Sequence, residues 1–266
     1  MTISQLTRPE GALAYEIAGD GPLIVCVPGM GDLRSTYRHL VPGLVATGHR
    51  VATLDLRGHG DSDTTFSRYD DEALASDVAA LIEHLGGRAT IVGNSMAAGA
   101  AVIVAAQRPE LVASLVLLGG FVRNPSANPL LKLAMRALLA PAWVAPVWKG
   151  YLPSLHAGRT PDDHAEYLDS VAASMRLPGH AAAFSRTART THDPAERALP
   201  DVTAPALVIT GANDPDWKDP RAEAEWVGAH LDAEVVILED CGHYPQSQQP
   251  ELVLAAVERF LETSRA

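Results

Sequence analysis

Two kinds of apolar spacing take turns along this chain. Leu23-Ile24-Val25-Cys26-Val27 is an unbroken apolar run, as expected of a strand buried on both faces. Residues 50–55, 89–92, 114–118, 206–210 and 234–238 read the same way. Between them the spacing changes. Residues 70–85 carry Leu74, Val78, Leu81, Ile82 and Leu85, with acids in the first turn and Gly86-Gly87 as a stop, so a helix is expected. Further helices are expected near 36–47, ended by Gly48, and over 97–106, 221–231 and 250–262. Two short antiparallel strands, 4–7 and 12–18, precede the turn Gly19-Asp20-Gly21-Pro22. Strands that alternate with helices predict a mostly parallel sheet flanked by helices on both faces. In such a sheet the functional groups gather at the carboxyl ends of the strands.

The alternation breaks between Phe121 and Pro200. Helical patterns at 130–139, 161–175 and 180–189 fill this stretch, punctuated by Pro141, Pro146, Pro153 and Pro178. A connection that long is rarely structureless. The expected organisation is therefore a core of 1–120 and 201–266 with a helical cap of 121–200 inserted. A length of 266 residues with 47% hydrophobic residues suits one α/β domain carrying such an insertion. A net charge of −11 leaves no basic stripe for phosphates, so no nucleic-acid partner is expected, and an anionic membrane surface is disfavoured. The longest apolar stretch, 114–122, falls well short of the ~20 residues that span a bilayer. No basic region followed by an apolar one opens the chain, and two cysteines make no disulfide framework, so a cytoplasmic location is expected. Oligomeric state leaves no mark in the sequence.

The chemistry centres on Val92-Gly93-Asn94-Ser95-Met96-Ala97, where an apolar strand meets a small-residue helix. Strand, Gly-x-Ser-x-small, helix is the sequence form of a nucleophile elbow. To aim its hydroxyl off the sheet, Ser95 is expected at positive φ, at a strain of about 1–3 kcal/mol. The turn leaves little room two residues either side of the serine, and Gly93 and Ala97 are both small. A plain helix N-cap serine is the rival reading of this segment alone. Four other marked loops also follow strands: Pro28-Gly29-Met30-Gly31, Arg57-Gly58-His59-Gly60, Gly211-Ala212-Asn213-Asp214 and Gly242-His243. The order Ser, Asp, His is that of one known triad arrangement.

Taken together, these pieces and Asp55-Leu56-Arg57-Gly58-His59-Gly60-Asp61-Ser62 make the chain resemble the α/β-hydrolase family along nearly its whole length. Two positions depart from the family pattern: Ala97 replaces the usual second glycine, and Pro28 stands where histidine is common. The resemblance implies acyl transfer on an α/β-hydrolase fold with an inserted helical cap. Ser95 would be the nucleophile, His243 the base and Asp214 its acid, with the backbone N–H groups of Met30 and Met96 as oxyanion hole. It implies a small-molecule ester, thioester or lactone, with carbon–carbon bond hydrolysis, a cofactor-free perhydrolase or a non-catalytic binding protein as alternatives. A serine nucleophile disfavours the family's epoxide hydrolases and haloalkane dehalogenases, which use aspartate, and Tyr244 stands where hydroxynitrile lyases commonly have lysine.

Asp216 and Asp219 are rivals to Asp214, which the family's Gly-x-x-Asp spacing favours. Asp55 and His59 read as structural members of a glycine turn, and Cys241 as packing. Asp32 reads as a helix-start acid, with substrate contact as the alternative. Trp143, Trp148, Leu155 and Phe184 of the cap could line an apolar pocket with Met30, Met96 and Phe121. Met30, Phe121 and Trp143 are the expected substrate contacts. Gly29-x-Gly31 followed by Asp55 has the outline of a dinucleotide site but fails at Arg34, where the third glycine belongs. No cofactor is expected, and without HExxH or Cys-x-x-Cys no metal either.

Overall fold

The computed structural model describes residues 2–125 and 137–264. The eight strands are β1 (Ser4–Arg8), β2 (Gly11–Ala18), β3 (Leu23–Val27), β4 (Arg50–Leu54), β5 (Ala89–Asn94), β6 (Val112–Leu118), β7 (Ala206–Gly211) and β8 (Glu234–Leu238). They form one sheet in the order β1-β2-β4-β3-β5-β6-β7-β8. β1, β2 and β4 pair antiparallel, and every pairing from β4 onward across the sheet is parallel. This is an α/β-hydrolase fold with a mostly parallel sheet flanked by helices. After β3 the chain runs to β4 on one side and then returns to β5 on the other. A crevice therefore opens at the carboxyl ends of β3 and β5.

The unbroken apolar runs are buried on both faces because each face has its own helices. Val25, Ile91 and Leu117 point to the side of α2 (Asp71–His84), α3 (Met96–Gln107) and α8 (Pro220–Leu231). Ile24, Val92 and Val116 point to the other, against α1 (Val41–Ala46) and α10 (Pro250–Thr263). Asp70 caps α2 by accepting from Ala73 N at 2.9 Å, and Asp219 caps α8 by accepting from Ala222 N at 3.0 Å.

The helix expected at 36–47 is two pieces, a 3₁₀ turn (Arg34–Tyr37) and α1. Pro42 is the reason: it lacks an N–H and fits only the first turn of a helix, so the helix restarts at Val41. The Tyr37 hydroxyl donates to Val27 O (2.8 Å) and Val92 O (3.2 Å), tying the turn across the ends of β3 and β5.

Between β6 and β7 lie α4 (Val144–Leu155), α5 (His164–Met175), α6 (His180–Thr187) and α7 (Asp193–Ala198). The helix expected at 130–139 falls almost wholly outside the described residues. α4 was not expected, because its prolines suggested interruption. Pro146 sits in the first turn, where the N–H has no partner anyway, and Pro153 lies in the last. Val144, Trp148, Leu152 and Leu155, spaced as one helical face, join Tyr167, Val171, Phe184 and Tyr244 in a third apolar cluster. A short α9 (Pro245–Gln248) precedes α10. No helix among the described residues is long and apolar enough to cross a membrane.

Candidate active site

Ser95 joins β5 to α3 at φ 56°, ψ −124°, and among described non-glycine residues only Asp232 and Asp240 share a positive φ. The turn is as crowded as the sequence implied. A Cβ at Gly93 would lie 2.6 Å from Ala97 O. Backbone bonds hold the turn: Ser95 N donates to Leu118 O (3.0 Å), and Ser95 O accepts from Phe121 N (3.1 Å).

The loop after β3 packs directly on the serine, since a Cβ at Gly29 would come within 2.7 Å of Ser95 Cβ. Its next peptide is gripped from two sides. Gly31, at φ +72°, donates its N–H to His59 Nε2 at 3.0 Å, and its carbonyl accepts from Trp148 Nε1 at 2.8 Å. His59 Nδ1 donates to Arg57 O at 2.9 Å, so Nε2 is the bare, accepting nitrogen. Burial pulls its pKa down to about 4, which keeps it neutral and able to accept. Met96 N–H is the first of α3 and has no intrahelical acceptor. The Met30 N–H likewise meets no acceptor among the described residues.

The structure brings His243 and Asp214 together. Nδ1 lies 2.7 Å from Asp214 Oδ2 and 3.7 Å from Asp216 Oδ2. A carboxylate only accepts, so Nδ1 carries the proton and Nε2 of the neutral ring is bare. The other Asp214 oxygen accepts from Asp216 N at 3.0 Å, which fixes the carboxylate plane. Asp219 is already committed to capping α8. Asn94, beside the serine, donates to His243 O at 3.0 Å, and His243 N donates to Leu155 O at 2.7 Å. Gln248 Oε1 accepts from Gly242 N at 3.0 Å. Gly119, at φ +50°, leaves space for the pair, as a Cβ there would sit 2.9 Å from His243 O. The described hydrogen bonds do not include one from Ser95 Oγ to His243, a contact that commonly tightens only when substrate is bound.

Burial opposes the imidazolium form of His243. The Asp214 charge, its hydrogen bond and the Asp216 charge outweigh that penalty, so the pKa lies above the ordinary value of 6.5. A general base must be neutral, and the neutral fraction falls as pH drops through this raised value. The rate on an uncharged ester is therefore expected to climb along an acid limb with its midpoint above 6.5. A pH–kcat/KM profile over about pH 5–10 measures this; a midpoint at or below 6.5 would contradict the charge assignment.

Phe121 lies against the site, its ring edge-on to His243 with centroids 5.9 Å apart. Trp143 does not: it is 49% exposed, and its indole N–H bonds Ala137 O. Trp148 is the tryptophan that reaches the loop after β3. Tyr151, one turn on, donates its hydroxyl to Asp216. One face of α4 thus touches three of the four strand-end loops of the site, through Trp148, Tyr151 and Leu155. Asp55 is buried, accepting from Arg34 N (2.7 Å) and Asp61 N (3.1 Å), as a structural turn residue would. Cys241 is buried, which pushes its thiol up to about 12. Asp214, Asp216 and His243 each offer one ligand atom within 4.8 Å of the others, so this group could hold a cation. A cation there would take Nδ1 away from Asp214.

A family model described as the alpha/beta hydrolase family matches residues 24–256. BpoC of Mycobacterium tuberculosis, provisionally named a non-heme bromoperoxidase, is 30% identical over 267 residues, covering 96% of this chain and 99% of that protein. The 2-(acetamidomethylene)succinate hydrolase of Mesorhizobium japonicum is 28% identical over 257 residues, covering 92% of this chain and 89% of the other. Among solved structures, an esterase of Thermogutta terrifontis superposes with a TM-score of 0.83 at 26% identity, over the full length of both chains.

Proposed function

The chain belongs to the alpha/beta hydrolase family, and we propose that it is a serine hydrolase cleaving a carboxylic ester, thioester or lactone through an acyl-enzyme. The observation that carries this reading is the bond from His243 Nδ1 to Asp214 Oδ2, which leaves Nε2 free to act as base, on a histidine whose carbonyl is bonded by Asn94, the neighbour of the strained Ser95. His243 Nε2 takes the Ser95 proton as Oγ bonds to the substrate carbonyl carbon. The oxyanion that forms accepts from Met30 and Met96 N–H, and each such donor is worth about 10²–10³ in turnover. The imidazolium returns its proton to the leaving oxygen or sulfur as that bond breaks. Water, deprotonated by the same imidazole, then releases the acid and restores Ser95. Asp214 holds the productive tautomer and offsets the imidazolium charge.

In this reading residues 121–200 act as a cap over the site, and a small, largely apolar molecule is the substrate. Phe121 and Met30 border it. No nucleic-acid or membrane partner enters, and the two free, buried cysteines suit the cytoplasm. The test is a fluorophosphonate probe with mass mapping, run beside a short-chain p-nitrophenyl ester assay. One adduct on the peptide holding Ser95, with ester turnover abolished by it, is the expected result. Labelling at another residue, or no labelling and no turnover, would overturn the proposal.

A further inference from the structure

Beside the oxyanion loop lies a second feature that the acyl-transfer scheme leaves unused. A narrow cleft of about 10 Å³, room for the tip of one hydroxyl or N–H group, is bounded by Gly31, Asp32, His59, Ser174, His180 and Phe184, among others. Its walls come from the loop after β3, the turn after β4, and helices α5 and α6. We propose that this cleft is a polar subsite in which Asp32 receives a hydrogen-bond donor of the substrate, uncharged or cationic, and turns away a carboxylate. This deepens the ester-hydrolase reading and rests on it.

Asp32 is 1% exposed. One oxygen, Oδ1, accepts from the Tyr167 hydroxyl and from Leu33 N at 2.9 Å. The other, Oδ2, is buried without a partner, and so is Nδ1 of His180, a residue only 8% exposed. An unpartnered buried acceptor is costly, and a ligand that donates to it removes the penalty. A carboxylate oxygen accepts and cannot donate, so the complementary group is a hydroxyl, an amide N–H or an ammonium.

The cations nearby are already committed. Arg38 lies over the Tyr167 ring at 4.1 Å, but its Nε and Nη2 bind Asp163 at 2.7 and 2.6 Å. Arg34 pairs with Asp55, Asp61 and Glu16, and Arg57 with Asp77. His59 is neutral, as its bond to Gly31 requires. A substrate carboxylate would therefore meet the Asp32 carboxylate, with these arginines already paired. Burial raises Asp32 to about 6, against the lowering effect of its hydrogen bonds, so the charged form prevails at neutral pH. The cleft shares Gly31 with the loop that packs on Ser95 through Gly29.

The test compares esters that differ only in an end group: acetamide, the ketone in which CH₂ replaces N–H, and a carboxylate. One series carries the group on the acyl part and a second on the alcohol part. In one series the protein is expected to favour the acetamide over the ketone by about tenfold in kcat/KM. The carboxylate should fall below the ketone by about a hundredfold. Asp32→Asn, which keeps the shape and loses the charge, should bring the carboxylate ester to within about threefold of the ketone. Equal use of ketone and carboxylate esters in both series, or discrimination that Asp32→Asn leaves unchanged, would overturn the subsite while leaving the hydrolase intact. No turnover of any ester, with no probe adduct on Ser95, would instead overturn the hydrolase reading and the subsite with it.

Discussion

Replacing Ser95 with alanine is expected to lower ester turnover by as much as about 10⁶, with the fold unchanged. The expectation follows from how little else the hydroxyl does. The turn is held by Ser95 N, bonded to Leu118 O, and by Ser95 O, bonded to Phe121 N, and alanine keeps both. Alanine at φ 56° suffers the same backbone strain, and its methyl occupies the volume that Gly29 already leaves for the serine Cβ. What is lost is the hydroxyl proposed to bond to the substrate carbon. The residue of activity would come from the oxyanion donors and binding alone. Burst kinetics with a p-nitrophenyl ester, beside a thermal unfolding scan, measure both halves. Near-normal turnover in a folded variant would remove Ser95 from the mechanism.

Much of this site could be read from the chain because a parallel sheet imposes its geometry on local segments. Each of Met30, Ser95, Asp214 and His243 follows a strand, so the fold alone sends all four to one edge. The strain at Ser95 was legible for the same reason: Gly93 and Ala97 report the crowding that forces it. Gly119 was visible only as a glycine, and its purpose needs His243 lying over it. Contacts made across the chain left no such trace. Trp148 bonds Gly31 from 117 residues away, and neither local spacing nor residue type separates it from Trp143. The prolines of α4 masked its periodicity, since proline reads as a break unless its place in the first turn is known. Asp32 shows the limit from the other side. As a sequence it suits a helix start, and only burial with an unpartnered oxygen gives it another use.

Asp214→Asn is expected to cost about 10⁴ in kcat, as loss of the acid does in other triads. Asp216→Asn should cost far less, and the two variants should differ in kind as well as size. Asp214 is the bonded partner: Oδ2 lies 2.7 Å from Nδ1, and Oδ1 is pinned by Asp216 N. An asparagine there can present its amide N–H₂ to Nδ1, which would then accept, and the proton would move to Nε2. The ring could no longer take the serine proton. Asp216 acts through charge, with its nearest oxygen 3.7 Å from Nδ1 and Tyr151 holding the other. Its neutralisation removes one of the anions that favour imidazolium, so the acid limb of the pH profile should move down while the plateau stays high. The Asp214 variant should instead show a collapsed plateau at every pH. A ranking with Asp216→Asn as the more damaged enzyme would move the acid to that residue, and with it the proton accounting at His243.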